Sequence, residues 1–166
     1  MDYRIEHDFK SSADAVQQAT FFDETFCRQL YQHLKLQIES FETRSETNAG
    51  GERVIRDLKF VAERQASGPL AKLLKGQSLV TQRETFDCAA KTLKVEIQLP
   101  VIGKRVEMGG LYTWQDLGDN GCRRTWAGYC SASIPLLGRK IERFLVDETH
   151  TSMAQTFDFT ADWLTK

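Results

Sequence analysis

The chain has 166 residues, 41% of them apolar and 27% charged, with a formal net charge of −1. This is the size of one ordinary domain, able to bury about 70% of its extended surface without a metal or disulfide staple. The balanced charge argues against a nucleic-acid binder driven by phosphate attraction.

No stretch reads as a membrane span, and Met1–His7 lacks the apolar core of a secretory signal. A cytoplasmic protein is the expectation. Cys27, Cys88, Cys122 and Cys130 show neither a CxxC pair nor metal-ligand spacing, so they are expected to be reduced and structural.

Residues 2–10 alternate, with Tyr3, Ile5, His7 and Phe9 on one side and Arg4, Glu6, Asp8 and Lys10 on the other. That is a half-buried strand. Ser11 or Ser12 then caps a predicted helix over 13–20, and Asp23 opens a second over 24–34 with Phe26, Leu30 and Leu34 on one side. From Lys35 the period becomes two, and a strand runs to about Thr47. The cluster Asn48-Ala-Gly-Gly51 turns it into a return strand over 52–64, with Val54, Arg56, Leu58 and Phe60 in one register. Leu70–Gly76 is an amphipathic connector.

Strands follow over 77–90, in which Val80, Gln82, Glu84 and Phe86 share a register, and over 92–99. Pro100–Gly103 is an apolar loop. The next strand, 105–116, sends Val106, Met108, Gly110, Tyr112 and Trp114 to one face. Asp119-Asn-Gly121 is a hairpin turn, because Asn and Gly accept positive φ at low cost. The last strand, 122–134, turns Trp126, Gly128, Cys130, Ala132 and Ile134 inward and ends at Pro135.

After Gly138 a long run without Pro or Gly predicts one helix of about 25 residues, roughly 37 Å long. Leu137, Ile141, Phe144, Leu145, Phe159 and Trp163 share a face whose middle carries Glu148, Ser152 and Gln155. Apolar ends with a polar middle suggest a helix lying over a cavity. We find no internal repeat and no linker, so residues 1–166 read as one domain. A run of antiparallel strands has one face to cover, and only the long helix is large enough to cover it. The sheet must curl around that helix, and a curled sheet grips a straight rod poorly along its whole length.

The order strand, two helices, six strands, long helix resembles the helix-grip fold of the START-like (SRPBCC) superfamily. The class is α+β, with a curved antiparallel seven-stranded sheet around the C-terminal helix in β-α-α-β6-α order. Three segments carry a closer resemblance to a bacterial domain-of-unknown-function family: Leu74–Phe86, Ser133–Leu145 with its Ile-Pro-x-x-Gly-x-x-x-Glu pattern, and Phe159–Trp163. Arg139 stands where a second Gly is expected after Gly138, which bears on how closely the helix start approaches the sheet. The resemblance implies a pocket for an apolar or amphipathic small molecule and carries over no catalytic residue.

Parity and the resemblance together nominate a ligand pocket lined by Met108, Gly110, Tyr112, Trp126, Gly128, Cys130, Phe144, Glu148, Ser152, Gln155 and Phe159. The small residues leave room and the aromatics shape it; glycines at bends of a packed core are the plainer reading. Glu148, Glu84 and His7 are the proton-transfer candidates if the protein is an enzyme, since a buried carboxyl or imidazole can be tuned toward neutrality. Arg56 with Glu84 makes a charge pair, either structural or suited to a polar headgroup. Leu70, Leu73, Leu74 and Pro100–Ile102, beside Lys72, Lys75, Lys104 and Arg105, either close the pocket or touch a membrane peripherally.

Nothing nominates a cofactor or a metal, because GxGxxG, Walker, HExxH and GxSxG patterns are lacking and His7, His33 and His150 have no ligand spacing. Three functions stay open: a carrier or sensor of a lipid, fatty acid or isoprenoid; a cyclase, dehydratase or isomerase; and a protein-interaction module.

Overall fold

The computed structural model describes residues 1–74 and 76–166, and of residues 76 and 77 the backbone only. Strand β1 (Asp2–Phe9) leads into helix α1 (Ala13–Gln17), whose cap is Ser12, accepting a hydrogen bond from Ala15 N at 3.2 Å. The expected continuation of α1 to Thr20 is replaced by a π-helical turn over Gln18–Phe22. Thr20 Oγ1 donates back to Val16 O at 2.7 Å, and the widened turn buries Phe21. Such bulges favour functional places, because they re-aim backbone carbonyls. Helix α2 (Glu24–His33) starts on Asp23, which accepts from Phe26 N at 3.1 Å.

The sheet comprises β1, β2 (Gln37–Asn48), β3 (Gly51–Arg64), β4 (Gly76–Asp87), β5 (Thr92–Gln98), β6 (Val106–Gly118) and β7 (Gly121–Ala132). Between β3 and β4 sits the single turn α3 (Ala71–Leu74). All seven strands form one sheet in the order β1-β7-β6-β5-β4-β3-β2, every pair antiparallel. Its hairpins are the predicted ones. The β6–β7 turn places Asp119 at φ 48° and Asn120 at φ 61°, the left-handed pair that a tight hairpin demands.

Helix α4 (Gly138–Leu164) lies across the sheet. A Cβ on Gly138 would collide with the Ala132 carbonyl, so the close approach of the helix start rests on this one glycine, while Arg139 is exposed. The buried stripe of α4 is wider than the apolar pattern alone predicts: Ile141 and Leu145 are joined by Val146, Met153 and Thr160. Phe159 and Trp163 are half-buried and pack on Phe26 of α2, with ring centroids 5.5 and 5.4 Å apart.

Leu74, Leu99, Ile102 and Val106 form a plug at the end of the sheet where the helix starts. Of the residues read as either closing the pocket or touching a membrane, Leu74 and Ile102 are core residues, Leu70 and Leu73 are half-buried and Val101 is 60% exposed. Lys75, expected beside them, lies outside the described residues. No helix among the described residues is long and apolar enough to cross a membrane.

Candidate functional site

Cross-strand register stacks the inward side chains in rows. One row reads Leu58, Gln82, Ile97, Met108, Cys130; the next Arg56, Glu84, Val95, Gly110, Gly128, Tyr3; the next Val54, Phe86, Leu93, Tyr112, Trp126, Ile5. Beyond it, Trp114, Arg124 and His7 form the row nearest the β6–β7 hairpin. Between these rows, α2 and α4 lies a cavity of about 600 Å³, inside the range of small-molecule sites. Phe26, Leu30, Phe60, Val80, Val95 and Leu145 give it apolar walls. The exposed residues on its lining are Glu63, Asp147, Thr151 and Gln155. They put its mouth between α4 and the end of β3.

Of the nominated pocket residues, Met108, Tyr112, Trp126, Phe144, Glu148, Ser152 and Gln155 line this cavity. Gly110, Gly128, Cys130 and Phe159 do not. The glycines make room for the protein rather than for a ligand: a Cβ on Gly110 would meet the Trp126 ring at 2.6 Å, and one on Gly128 would run into Trp126 Nε1 and the Tyr3 ring. The indole of Trp126 thus lies flat across them and is itself the floor. Cys130 is sealed at 0% exposure beneath the helix start. Phe159 is spent on Phe26, Trp163 and His33.

Arg56 and Glu84 face each other across β3 and β4 as a buried ion pair. Every group in it is engaged. Arg56 Nε donates to Glu84, Nη1 donates to Phe21 O at 2.8 Å, and Nη2 donates to Thr20 O at 3.5 Å. Those two carbonyls are the ones the π turn presents. The other oxygen of Glu84 accepts from Gln82 Nε2 at 2.7 Å. Burial works against the Arg56 charge, but Glu84 more than offsets it and the net shift is upward. Burial holds the phenols of Tyr31 and Tyr112 above their ordinary range and pushes the Cys27 thiol up to about 11, so these groups stay neutral.

Glu148 stands at the mouth in an ion pair with Arg64 at 2.9 Å, its side chain 34% exposed, and Arg64 also donates to Ser78. This contact ties α4 to β3. His7 does not line the cavity; its ring stacks on Phe157 at 4.6 Å. Burial, then the Arg124 charge, lowers its pKa. The three proton-transfer candidates are therefore not brought together, and the two carboxylates are each committed to an arginine. Among the described residues no cluster of three or more His, Cys, Asp or Glu is placed to hold a metal.

Among the lining residues not nominated from sequence is Arg124. It lines the cavity, is 4% exposed, and lies two residues before Trp126 in the same inward register. The parity that selected Trp126 selects it too. Met153, which packs beside Trp126, was hidden by the polar neighbours on its helix.

A family model described as "Protein of unknown function (DUF2505)" matches residues 4–164. The chain belongs to this family. No curated protein matches it by sequence. The DUF2505 chain is similar in structure to a START superfamily protein from Mycobacterium smegmatis (TM-score 0.63, 13% identity, covering 98% of each chain). It is similar to the Zhui aromatase/cyclase from Streptomyces sp. R1128 (0.63, 11%, 99% of this chain and 94% of that one). It is also similar to norcoclaurine synthase from Thalictrum flavum (0.61, 16%, 100% and 87%). At such identities the likeness shows the fold, which is the helix-grip fold of the START-like superfamily, as the element order implies.

Proposed function

We propose that this DUF2505 protein binds a hydrophobic or amphipathic small molecule, of the lipid, fatty acid or isoprenoid kind, as a carrier or sensor. The observation that carries this reading is the 600 Å³ cavity walled by aliphatic and aromatic side chains beneath α4. Burying an apolar ligand there contributes about 25 cal/mol per Å² of surface removed from water. The commitment of Glu84 and Glu148 to arginines, and the position of His7 outside the lining, favour binding over proton-transfer chemistry.

Native mass spectrometry of protein purified from its own cells tests the reading. The expected result is a mass excess that organic extraction removes and that reappears as a small apolar molecule in the extract. Bare protein that also leaves fluorescent fatty-acid probes unbound would count against it. Ser152→Trp, which puts an indole on the cavity lining from the half-buried side of α4, should abolish probe binding while the protein stays folded.

A further inference from the structure

The closed end of the cavity holds a charge that the protein itself does not answer. Arg124 Nη2 is sealed from solvent with no hydrogen-bond partner. Among the described residues no carboxylate forms an ion pair or a hydrogen bond with Arg124, and its neighbours Tyr112 and Cys122 are held neutral by burial. Phe9 and Tyr112 lie over its guanidinium at 5.0 and 5.2 Å. Rings in those positions hold the faces of the cation but offer no oxygen to its edge donors. Across the strands it faces Trp114 on one side and the half-buried His7 on the other. Trp114 Nε1 and Trp126 Nε1, on two further lining residues, are likewise buried without an acceptor.

The other arginines on the lining are each paired. Arg56 is matched by Glu84, and Arg64 by Glu148 at the mouth. Glu63 and Asp147 are exposed at the mouth. The interior, among the described residues, is left with one unpaired positive charge, at Arg124, beside the two indole donors. A buried, uncompensated charge is costly, and a complementary ion that supplies its hydrogen bonds removes that cost.

We propose that Arg124 anchors the carboxylate of a monoanionic amphipathic acid, whose apolar tail runs from Trp114 past Met108 toward the mouth. From Trp114 to Met108 is six residues of β6, about 20 Å of extended strand, so the tail has length to occupy. The planar fork of an arginine matches a carboxylate in two parallel hydrogen bonds. A dianionic phosphate would leave an unmatched negative charge in the same low-dielectric space. The proposal rests on the cavity being a binding site and adds to it which end of the ligand is charged and where that end lies.

The test compares cis-parinaric acid, its methyl ester and a long-chain alkyl phosphate, by fluorescence titration of the delipidated full chain and of Arg124→Met. The expected result is acid binding tighter than ester binding by about tenfold or more, as for hydrogen bonds to a charged group. In Arg124→Met the preference for acid over ester should disappear. Acid and ester of equal affinity in the unaltered protein, with both bound, would overturn the anchor and leave the cavity reading standing. A preference for acid that survives Arg124→Met would overturn it as well. Alkyl phosphate binding tighter than the acid would overturn the carboxylate assignment. Failure of every probe would bring down the cavity reading itself, and the anchor with it. Should Arg124→Met not fold, Arg124→Gln removes the charge while keeping a polar side chain, and the same loss of acid preference is expected.

Discussion

Two arginines point inward from this sheet at equal burial, each 4% exposed, and both line the same cavity. Arg56 sits mid-sheet opposite Glu84, with its remaining donors on the carbonyls of the π turn. Arg124 sits near the β6–β7 hairpin among aromatic rings, with Nη2 unmatched. Burial disfavours both charges. At Arg56 the carboxylate reverses the effect and the pKa rises; at Arg124 nothing does and it falls. The first region is closed in on itself and belongs to the architecture. The second is left incomplete at a cavity wall, which is where a ligand group would complete it. Burial of a charge is thus a poor guide to function until its partners are counted.

The sharpest way to break this comparison is to remove each partner. Glu84→Gln strands Arg56 and should cost about 3–5 kcal/mol, whereas Arg124→Met strands nothing and should leave stability unchanged or raise it. Urea unfolding midpoints at constant m-value measure both. Equal destabilisation by the two would erase the distinction.

Gly128→Ala comes next, because it pushes on Trp126 and Tyr3. Overpacking of this kind costs about 1–3 kcal/mol. It should also weaken probe binding, since the displaced indole is the cavity floor. Unchanged binding would detach Trp126 from the site.

His7 offers a smaller, pH-dependent test beside Arg124. Its pKa in the folded protein lies below the ordinary 6.5. The unfolded chain therefore takes up a proton first as pH falls, so the contribution of His7 to stability is present above 6.5 and lost below it. His7→Phe keeps a ring on Phe157 and should flatten stability against pH in that window. An unaltered profile would mean that other groups set it.

The smallest effect is expected at Asp57, which bridges Arg44 and Arg83 at the surface. Asp57→Asn should cost under about 1 kcal/mol, the exposed counterpart to the Arg56–Glu84 pair. A cost matching that of Glu84→Gln would show that burial is not what separates them.

Much of this was legible in the chain. Period-two alternation and the Asn-Gly and Gly-Gly turns located the strands, because a half-buried sheet requires both. The long run free of Pro and Gly located α4. The π turn was not legible, since Gln18–Phe22 holds no helix breaker and the widening answers a tertiary demand, the arginine that its carbonyls meet. The Arg56–Glu84 pair was visible as two charges in apolar registers, although sequence could not say that the pair is internally satisfied. Gly110 and Gly128 were read as space for a ligand because small residues leave a gap; which neighbour fills the gap depends on a rotamer, here that of Trp126. Arg124 lay in plain register beside Trp126, and its importance comes from the partners it lacks, which no spacing records.

A crystal structure of the protein as purified tests the central claim most directly. The account predicts elongated density beneath α4, with a polar end within hydrogen-bonding distance of Arg124 and a tail reaching toward Leu36. Met108, Tyr112 and Trp126 packed without a void against Leu145 and Met153 would contradict it.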